Sequence, residues 1–379
     1  MGTPDAGARA SIFERNPRKT IAALVLFAAV GTDLAFTRVY HWLSPRPAAR
    51  GQTGLRVRSE VFHHGFQPLA SAKDDWGGHL TDYRINSLGL RDASAREVPL
   101  RGDRRRLLFI GDSFTEGIGI AYDRTFVGRV ARALEPKGIE VLNAGCASYS
   151  PIIEYRKVRW LLDQGFRFDE LAVFIDLGDV QDEVTYLLDA DGNVASDELR
   201  RLREERENIR YALPGPLKDL TVRQFLKRNT IGLFALYQGL EEAVKSADRR
   251  DGLWTADPRL FEQFGREGLA RARHSMDLLA ELVAPYGVRL TVAVYPWPDQ
   301  IRRGDLRSLQ ASFWKQFAAD RGVGFLDYFP RFVDATRTRE ILARDFIPGD
   351  IHWSEAGHEV VADGFLEYWA GRERAAETQ

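Results

Sequence analysis

The stretch LLFIGDSFTEGIG, residues 107–119, decides how the rest of the chain is interpreted. Four apolar residues run directly into Gly111, Asp112 and Ser113, which is typical of a buried strand that ends in a sharp turn at a hydroxyl group. Such a turn suits catalysis by Ser113, but it also suits phosphate binding or a plain connection. The rest of the sequence has to decide among these three.

The composition is that of a folded protein. The chain has 379 residues, 44% hydrophobic and 28% charged, which is enough for one large domain with an insertion or for two smaller domains, and which excludes intrinsic disorder. The formal net charge is -1 and the arginines are scattered, so nucleic-acid binding is not expected. Cys146 is the single cysteine, so no intrachain disulfide can form.

An apolar segment near the N-terminus predicts membrane insertion. Basic residues precede TIAALVLFAAVGTDLAF (20–36), in which Asp33 is the one charged residue, and this length is close to the minimum for a membrane helix. We expect a cytoplasmic tail at 1–19 and a transmembrane signal anchor at 20–37. The catalytic part would then lie on the periplasmic side of the inner membrane. A cleaved signal peptide and a buried helix of a soluble protein are the alternatives.

The remaining chain predicts an α/β fold. Residues 38–104 are rich in Gly, Pro and polar groups without clear periodicity, which predicts an extended lead-in that packs on a domain. From 105 to 372, apolar runs alternate with amphipathic helical patterns, interrupted at about 183–265 by a helical insertion that could serve as a lid. Strands separated by helices predict a three-layer α/β/α sandwich with a central parallel sheet of the flavodoxin type. The first four predicted strands are 107–110, 139–145, 171–179 and 289–296.

Several small or polar residues lie at or just after the carboxyl ends of these strands. Ser113 comes just after the first predicted strand, and Gly145 and the pair Gly178-Asp179 end the second and third. Because the carboxyl ends of parallel strands meet at one edge of a sheet, we expect these residues on the same rim.

Histidines elsewhere could activate the serine. A serine becomes a nucleophile when a base within hydrogen-bond reach takes its proton, and that base usually needs an orienting carboxylate. Asp350 and His352, two residues apart on a predicted loop, could supply both functions. His358 follows in an apolar helical pattern, which favours a structural role. His63 and His64 lack partners at ligand spacing, so we interpret them as a surface pair and predict no metal site.

Three nearby residues are assigned structural roles. Cys146 is interpreted as a small packed residue rather than a second nucleophile. Glu116 is expected to cap the helix after Ser113, where its charge would meet the positive helix end. Ser354 is expected to be the N-cap of the last helix.

Four blocks resemble those of the SGNH (GDSL) hydrolase superfamily. The resemblance implies a nucleophile at Ser113 and a general base at His352, oriented by Asp350. It also implies an oxyanion hole with backbone N–H groups of Ser113 and Gly145, each such donor being worth about a hundredfold to a thousandfold in rate. No cofactor is implied. The blocks span about 105–370 and comprise Gly111-Asp112-Ser113, Gly145, Gly178-Asp179, and Asp350-x-His352 followed by Gly357-His358.

Two positions depart from that pattern. The third block normally supplies an asparagine to the oxyanion hole, whereas Asp179 stands here, so either Asp179 is protonated or a neighbour such as Gln181 donates. The last block has Asp-x-His in place of the more usual Asp-x-x-His, with Gly349 at the earlier position. With Trp353 next, this shorter spacing is similar to the Asp-x-His-Trp segment of alginate-type polysaccharide O-acetyltransferases. Trp297 is either a sugar-stacking platform or an ordinary packing residue.

Two classes of function fit these observations. The first is an extracytoplasmic serine esterase or O-acyltransferase that forms an acyl-enzyme and acts on ester-linked acyl groups, with a cell-envelope polysaccharide as the expected substrate. The second is a catalytically inactive SGNH-fold protein that binds carbohydrate or serves as an envelope scaffold, which Asp179 supports and the intact Ser113, Asp350 and His352 oppose. A phosphate-binding loop is disfavoured because residues 107–119 lack the Lys-Ser/Thr pair of a P-loop and the Gly-x-Gly-x-x-Gly spacing of a dinucleotide-binding loop.

Overall fold

The computed structural model describes residues 16–43, 55–76, 79–186, 188, 192–194, 230, 232–233 and 253–377. Two compact units are formed, one by Met1–Gly51 with Arg206–Arg249 and the other by Gln52–Glu205 with Arg250–Gln379. Most of the predicted insertion at 183–265 and of the predicted tail at 1–19 lies outside the described residues.

One long apolar helix, α1 (Pro17–Leu43), belongs to the first unit. Its segment Pro17–Val39 has a mean hydropathy of 1.8 and is long enough to cross a membrane, a property that signal sequences share. The carboxylate of Asp33 on this helix accepts the backbone N–H groups of Gly232 and Leu233, each at 2.8 Å. The acidic residue within the apolar stretch therefore has two donors from the insertion.

The second unit is built on a mixed sheet of eight strands. Their order is β10-β9-β8-β6-β7-β5-β4-β3, in which the strands from β10 to β7 are parallel and the last three antiparallel. Strands β1 and β2 form a separate antiparallel pair. The strands are β1 (Arg56–Ser59), β2 (His63–Phe66), β3 (Ser71–Trp76), β4 (His79–Ile85), β5 (Arg91–Asp92), β6 (Arg105–Gly111), β7 (Ile139–Asn143), β8 (Glu170–Ile175), β9 (Arg289–Val294) and β10 (Gly324–Asp327).

Helices cover both faces of the parallel strands, as predicted for an α/β/α sandwich. Helix α7 packs against α4 and α5, and α3 packs against α12. These helices are α2 (Ser113–Glu116), α3 (Phe126–Leu134), α4 (Pro151–Asp163), α5 (Gly178–Thr185), α6 (Pro258–Leu260), α7 (Arg266–Val283), α8 (Pro298–Arg303), α9 (Leu309–Arg321), α10 (Phe329–Phe332), α11 (Thr338–Asp345) and α12 (Glu355–Glu377).

The central strands form because their apolar runs can be buried on both faces. All residues of β7 and β8 are buried, and those of β6 are buried after its first residue. The predicted strands 139–145 and 171–179 end earlier than expected, at Asn143 and Ile175. In both cases the chain leaves the sheet at the edge on which Ser113 lies.

The segment predicted as a lead-in contributes three strands to the sheet. Residues of β3, β4 and β5 extend the parallel strands along one edge. The outermost strand, SAKDDW, alternates between exposed and half-buried residues and is mostly polar. Charged edge strands of this kind resist pairing with other chains, and they carry little of the apolar periodicity by which strands are recognised.

Glu116 joins this edge to the rest of the unit. The expectation that it caps a helix was wrong, because Asp112 is the cap. Its buried carboxylate accepts bonds from Arg56 (Nη1–Oε2 3.0 Å), Tyr83 (Oη–Oε1 2.8 Å) and the Ala147 N–H (2.7 Å). Burial alone would raise the pKa of Glu116, but the Arg56 guanidinium and these bonds lower it. The cap of α2 is instead Asp112, which accepts the Phe114 N–H.

Replacing Glu116 by glutamine is expected to lower the free energy of unfolding by about 2 kcal/mol, because Arg56 then loses its charged partner. Urea denaturation of the full chain measures the change. Glu359→Gln is the control, since Glu359 is exposed and lies 3.7 Å from Arg129, a surface pair worth less than about 1 kcal/mol. Equal effects of the two substitutions would contradict a structural role for the Glu116 contacts.

Candidate active site

Three side chains meet in a line at the carboxyl edge of the sheet. Ser113 Oγ lies 2.8 Å from His352 Nε2, and His352 Nδ1 lies 2.6 Å from Asp350 Oδ1. With Asp350 ionised, Nδ1 carries the proton, so Nε2 is free to accept the proton of the serine hydroxyl. His352 is buried against the ring of Phe114, with centroids 4.8 Å apart. This is the geometry in which a serine can be activated as a nucleophile.

The loop that carries His352 is held at both ends. Gly349 has a φ of 77°, a left-handed conformation that favours glycine, and it turns the chain directly before Asp350. The carbonyl of His352 accepts the Ile347 N–H at 2.9 Å. Trp353 is fully buried and packs against Phe114, so the indole next to the histidine anchors the loop in the core.

The carboxylate of Asp350 is oriented by four donors. Oδ1 accepts the N–H groups of Ile351 (2.6 Å) and His352 (3.2 Å) as well as His352 Nδ1, and Oδ2 accepts the indole N–H of Trp76 at 2.8 Å. Burial alone would raise the pKa of Asp350, but the bonds from His352 and Trp76 hold it well below its usual value. Asp350 is therefore an anion at any pH at which the protein would work.

Behind Ser113, three buried carboxyl groups lie within 4.8 Å of one another: Asp112, Asp176 and Asp179. Asp112 accepts from the Tyr295 hydroxyl (3.1 Å) and Asp176 from the Trp297 indole (2.7 Å), and Asp112 and Asp176 share a side-chain hydrogen bond that requires a proton. Burial and the mutual repulsion of the carboxylates raise the pKa values of Asp112 and Asp179. The spacing of the three carboxyl groups would suit a cation. The donors that already reach these oxygens, together with the proton shared by Asp112 and Asp176, stabilise the group in a different way.

The proton held by Asp179 makes stability depend on pH. In the unfolded chain this carboxyl ionises near its ordinary pKa, whereas in the folded chain it stays protonated to higher pH. Rising pH therefore favours the unfolded chain, and the wild-type melting temperature is expected to fall between pH 5 and pH 8. Asp179→Asn should reduce that fall, while the control Asp103→Asn, on an exposed loop, should not. An unchanged pH dependence in Asp179→Asn would contradict a retained proton.

The predicted oxyanion donors are placed differently from one another. The Gly145 N–H donates to Asn143 Oδ1 at 2.9 Å, so in this structure it does not point at a substrate. A Cβ at position 145 would lie 2.6 Å from the Glu116 nitrogen, which means that glycine is needed there for close packing against α2. The side chain of Asp179 accepts the Asp176 N–H at 2.9 Å, and its raised pKa agrees with the protonated alternative. Gln181 lies half-buried on α5.

Other sequence-predicted residues make structural contacts. Burial lowers the pKa of His358 to about 3, and its Nδ1 accepts the Phe126 N–H that begins α3. Burial raises the pKa of Cys146 to about 12, which agrees with a packed thiol. Trp297 is half-buried, with its N–H bonded to Asp176, which favours the packing alternative. Ser354 caps α12 by accepting the Gly357 N–H at 3.3 Å.

His63 and His64 are not a surface pair. Their Nδ1 atoms are 2.7 Å apart, and His64 Nε2 donates to the Ala147 carbonyl at 2.7 Å. Both side chains are half-buried, and the ring of His64 meets that of Tyr149 edge-on. They join β2 to the loop after β7.

Trp76 is the site residue that the sequence analysis missed. It lies at the end of the polar strand β3, in the segment that was predicted to be an extended lead-in that packs on a domain. The only local signal is a tryptophan that ends the charged run KDDW, since a large aromatic side chain in a polar edge strand needs an apolar surface to cover.

Neither a family model nor a curated protein matches the chain. Solved structures do. A lipolytic protein of the G-D-S-L family from Desulfitobacterium hafniense is 12% identical, with 70% of this chain and 99% of that chain covered and a TM-score of 0.39. A catalytic mutant of Axe2, an acetylxylan esterase from Geobacillus stearothermophilus, is 15% identical, with 71% and 96% covered and a TM-score of 0.37. The esterase EstA from Pseudoalteromonas is 10% identical, with 71% and 99% covered and a TM-score of 0.38. Similarities of this size do not carry a function to this chain.

Proposed function

We propose that this chain is a serine enzyme that acts on ester bonds through an acyl-enzyme on Ser113. The observation that carries the proposal is the continuous line from Ser113 Oγ through His352 to Asp350, with distances of 2.8 and 2.6 Å. A turn residue would not need a buried, correctly oriented imidazole at its hydroxyl. Phosphate binding would not need one either.

The proposed reaction has two steps that use the same residues. Ser113 Oγ attacks the ester carbonyl while His352 Nε2 takes its proton, and the tetrahedral intermediate collapses as His352 returns that proton to the leaving alcohol. The acyl group is then bonded to Ser113. Water or a second alcohol, deprotonated by His352, attacks the acyl carbonyl and releases Ser113, which takes its proton back. Asp350 stabilises the imidazolium in both steps.

We propose that the backbone N–H of Ser113 is the first donor of the oxyanion hole. Gly145 could contribute only after its N–H leaves Asn143, since the same donor cannot serve both acceptors fully. Asp179 would repel an oxyanion if it were ionised, so its proton also matters for catalysis.

The location and the substrate are finer proposals. The apolar helix α1 supports a membrane-tethered enzyme whose catalytic unit lies outside the cytoplasm. The Asp350-x-His352-Trp353 segment supports an acyl ester of a cell-envelope polysaccharide as substrate, by its similarity to polysaccharide O-acetyltransferases. Hydrolysis and transfer differ in whether water or a sugar hydroxyl attacks the intermediate.

Intact-mass spectrometry of the full chain after exposure to 4-nitrophenyl acetate tests the reaction. We expect the intact chain to gain the mass of one acetyl group, with release of 4-nitrophenol, and digestion should place that group on the peptide that contains Ser113. Acetylated oligosaccharide products on addition of candidate sugars would establish transfer, and acetate alone would establish hydrolysis. No acetylation and no turnover, alongside an active serine esterase as control, would favour the binding protein instead.

Alkaline phosphatase fused to the C-terminus tests the location. The fusion is expected to be active, because that enzyme needs an oxidising compartment for its disulfides. An inactive but stable fusion would place the catalytic unit in the cytoplasm.

A further inference from the structure

We propose that Trp76 is a positioning residue of this site: its indole N–H holds the second carboxylate oxygen of Asp350, and its ring covers His352. The inference rests on the proposed function of Ser113. It assigns a part in the reaction to the antiparallel edge of the sheet, on which none of Ser113, His352 and Asp350 lies.

Trp76 contacts both Asp350 and His352. Its Nε1 lies 2.8 Å from Asp350 Oδ2, and its ring meets that of His352 nearly edge-on, at 5.3 Å between centroids and an interplanar angle of 87°. Trp76 is 37% exposed, so one part of it faces the solvent at the rim while the ring covers His352. Trp76 pairs with His79 in the β3–β4 ladder, so the hairpin sets its position.

The two oxygens of Asp350 have donors of different origin. Oδ1 accepts from Ile351 and His352, both in its own loop, whereas Oδ2 accepts from Trp76, which is 274 residues away in sequence. The donors on Oδ1 restrict rotation of the carboxylate about the Cβ–Cγ bond, and a donor on Oδ2 restricts that rotation further. The indole N–H fixes the second oxygen and thereby keeps Oδ1 directed at His352 Nδ1.

The indole also lies close to the loop after α2. Gly119 adopts a φ of 74°, and a Cβ there would lie 3.5 Å from Trp76 Cδ1 and 3.4 Å from Ile347 Cδ1. A side chain larger than glycine at position 119 would therefore meet the indole.

Two substitutions separate the donor from the ring. Trp76→Phe keeps an aromatic ring but removes the N–H. Trp76→Gln removes the ring but keeps an amide nitrogen the same number of bonds from Cα as indole Nε1. Trp160→Phe is the matched control, because Trp160 is half-buried on α4 and packs against Phe62 with centroids 5.3 Å apart.

The full chain is assayed with 4-nitrophenyl acetate, and kcat, KM and the single-turnover rate of acylation are measured. Trp76→Phe is expected to lower kcat and the acylation rate about tenfold with little change in KM, which is the usual effect of one hydrogen bond to a charged group. Trp76→Gln is expected to recover most of that loss, and Trp160→Phe to match the wild type.

The outcomes are distinguishable. If the wild type neither turns over nor acylates Ser113, the proposed function fails, and this inference fails with it. If the wild type is active and Trp76→Phe matches it in kcat and acylation, the positioning role is refuted while the proposed function stands. Equal loss in Trp76→Phe and Trp76→Gln, without rescue, would also overturn it, because the N–H would then not be the group that matters.

Discussion

Replacing Ser113 by alanine is expected to abolish ester turnover and acetylation of the chain, with kcat falling by about 10⁴-fold or more. Ser113 Oγ is the one atom in the proposed mechanism that bonds to the acyl carbon, so no neighbouring group replaces it. The hydroxyl makes its hydrogen bonds with His352 (2.8 Å) and Asp112 (3.3 Å), and neither bond holds a loop in place. The fold should therefore survive, and the melting temperature should change little.

Ser94→Ala is the matched control, because Ser94 is exposed and its side chain makes none of the contacts of the site. This variant should retain wild-type acetylation. Acetylation of Ser113→Ala at the wild-type rate would show that another nucleophile is at work and would remove the main support for the proposed mechanism.

Replacing Asp350 by asparagine is expected to lower kcat by about 10³- to 10⁴-fold. The amide can still accept the Ile351 and His352 N–H groups at one oxygen, so the loop should keep its shape. A neutral amide, however, neither stabilises an imidazolium nor selects the tautomer with its proton on Nδ1. His352 then carries its proton on Nε2 for part of the time. In that tautomer Nε2 cannot accept the proton of Ser113.

The loss should appear in the acylation step of Asp350→Asn, measured in a single turnover. Asp363→Asn, on the exposed side of α12, is the control and should behave as the wild type. His352→Ala should lose at least as much as Asp350→Asn, because the aspartate acts through the histidine. A greater loss from Asp350→Asn than from His352→Ala would contradict that order.

The parts of the fold that could be predicted are those that depend on residues close to one another in the sequence. Strands β6, β7 and β8 are buried on both faces, and such strands need continuous apolar runs that are visible in the sequence. Ser113 was predicted at the carboxyl edge because strand ends share an edge, whereas Asp350 and His352 were predicted from their spacing on a loop and from the resemblance of the four blocks; the structure brings the three together.

The parts that were missed depend on contacts between distant segments. Gly145 was predicted to donate its N–H to an oxyanion, whereas in the structure that N–H donates to Asn143 Oδ1 and the residue packs against the backbone of α2; no local pattern states which surface a glycine faces. Glu116 was interpreted by its place at a helix start, but Arg56, 60 residues earlier, determines its role. The strand β3 was missed because its side chains are mostly polar, and Trp76 was missed with it.

The shortened Asp-x-His spacing has a physical explanation in the loop itself. Asp350 Oδ1 accepts both the Ile351 and the His352 backbone N–H, so the carboxylate turns back over its own chain toward the imidazole. Gly349, with its left-handed backbone, begins this turn. A longer spacing is therefore not needed for the two side chains to meet.

The contact between Asp33 and the insertion has a consequence for the order of events during synthesis. Its donors, Gly232 and Leu233, follow Asp33 by 199 and 200 residues. At a translation rate of about 5–20 residues per second, roughly 10–40 seconds pass before the ribosome makes them. During that interval the carboxylate of Asp33 is without these two donors, and it gains them only after residues 232 and 233 have been added to the chain.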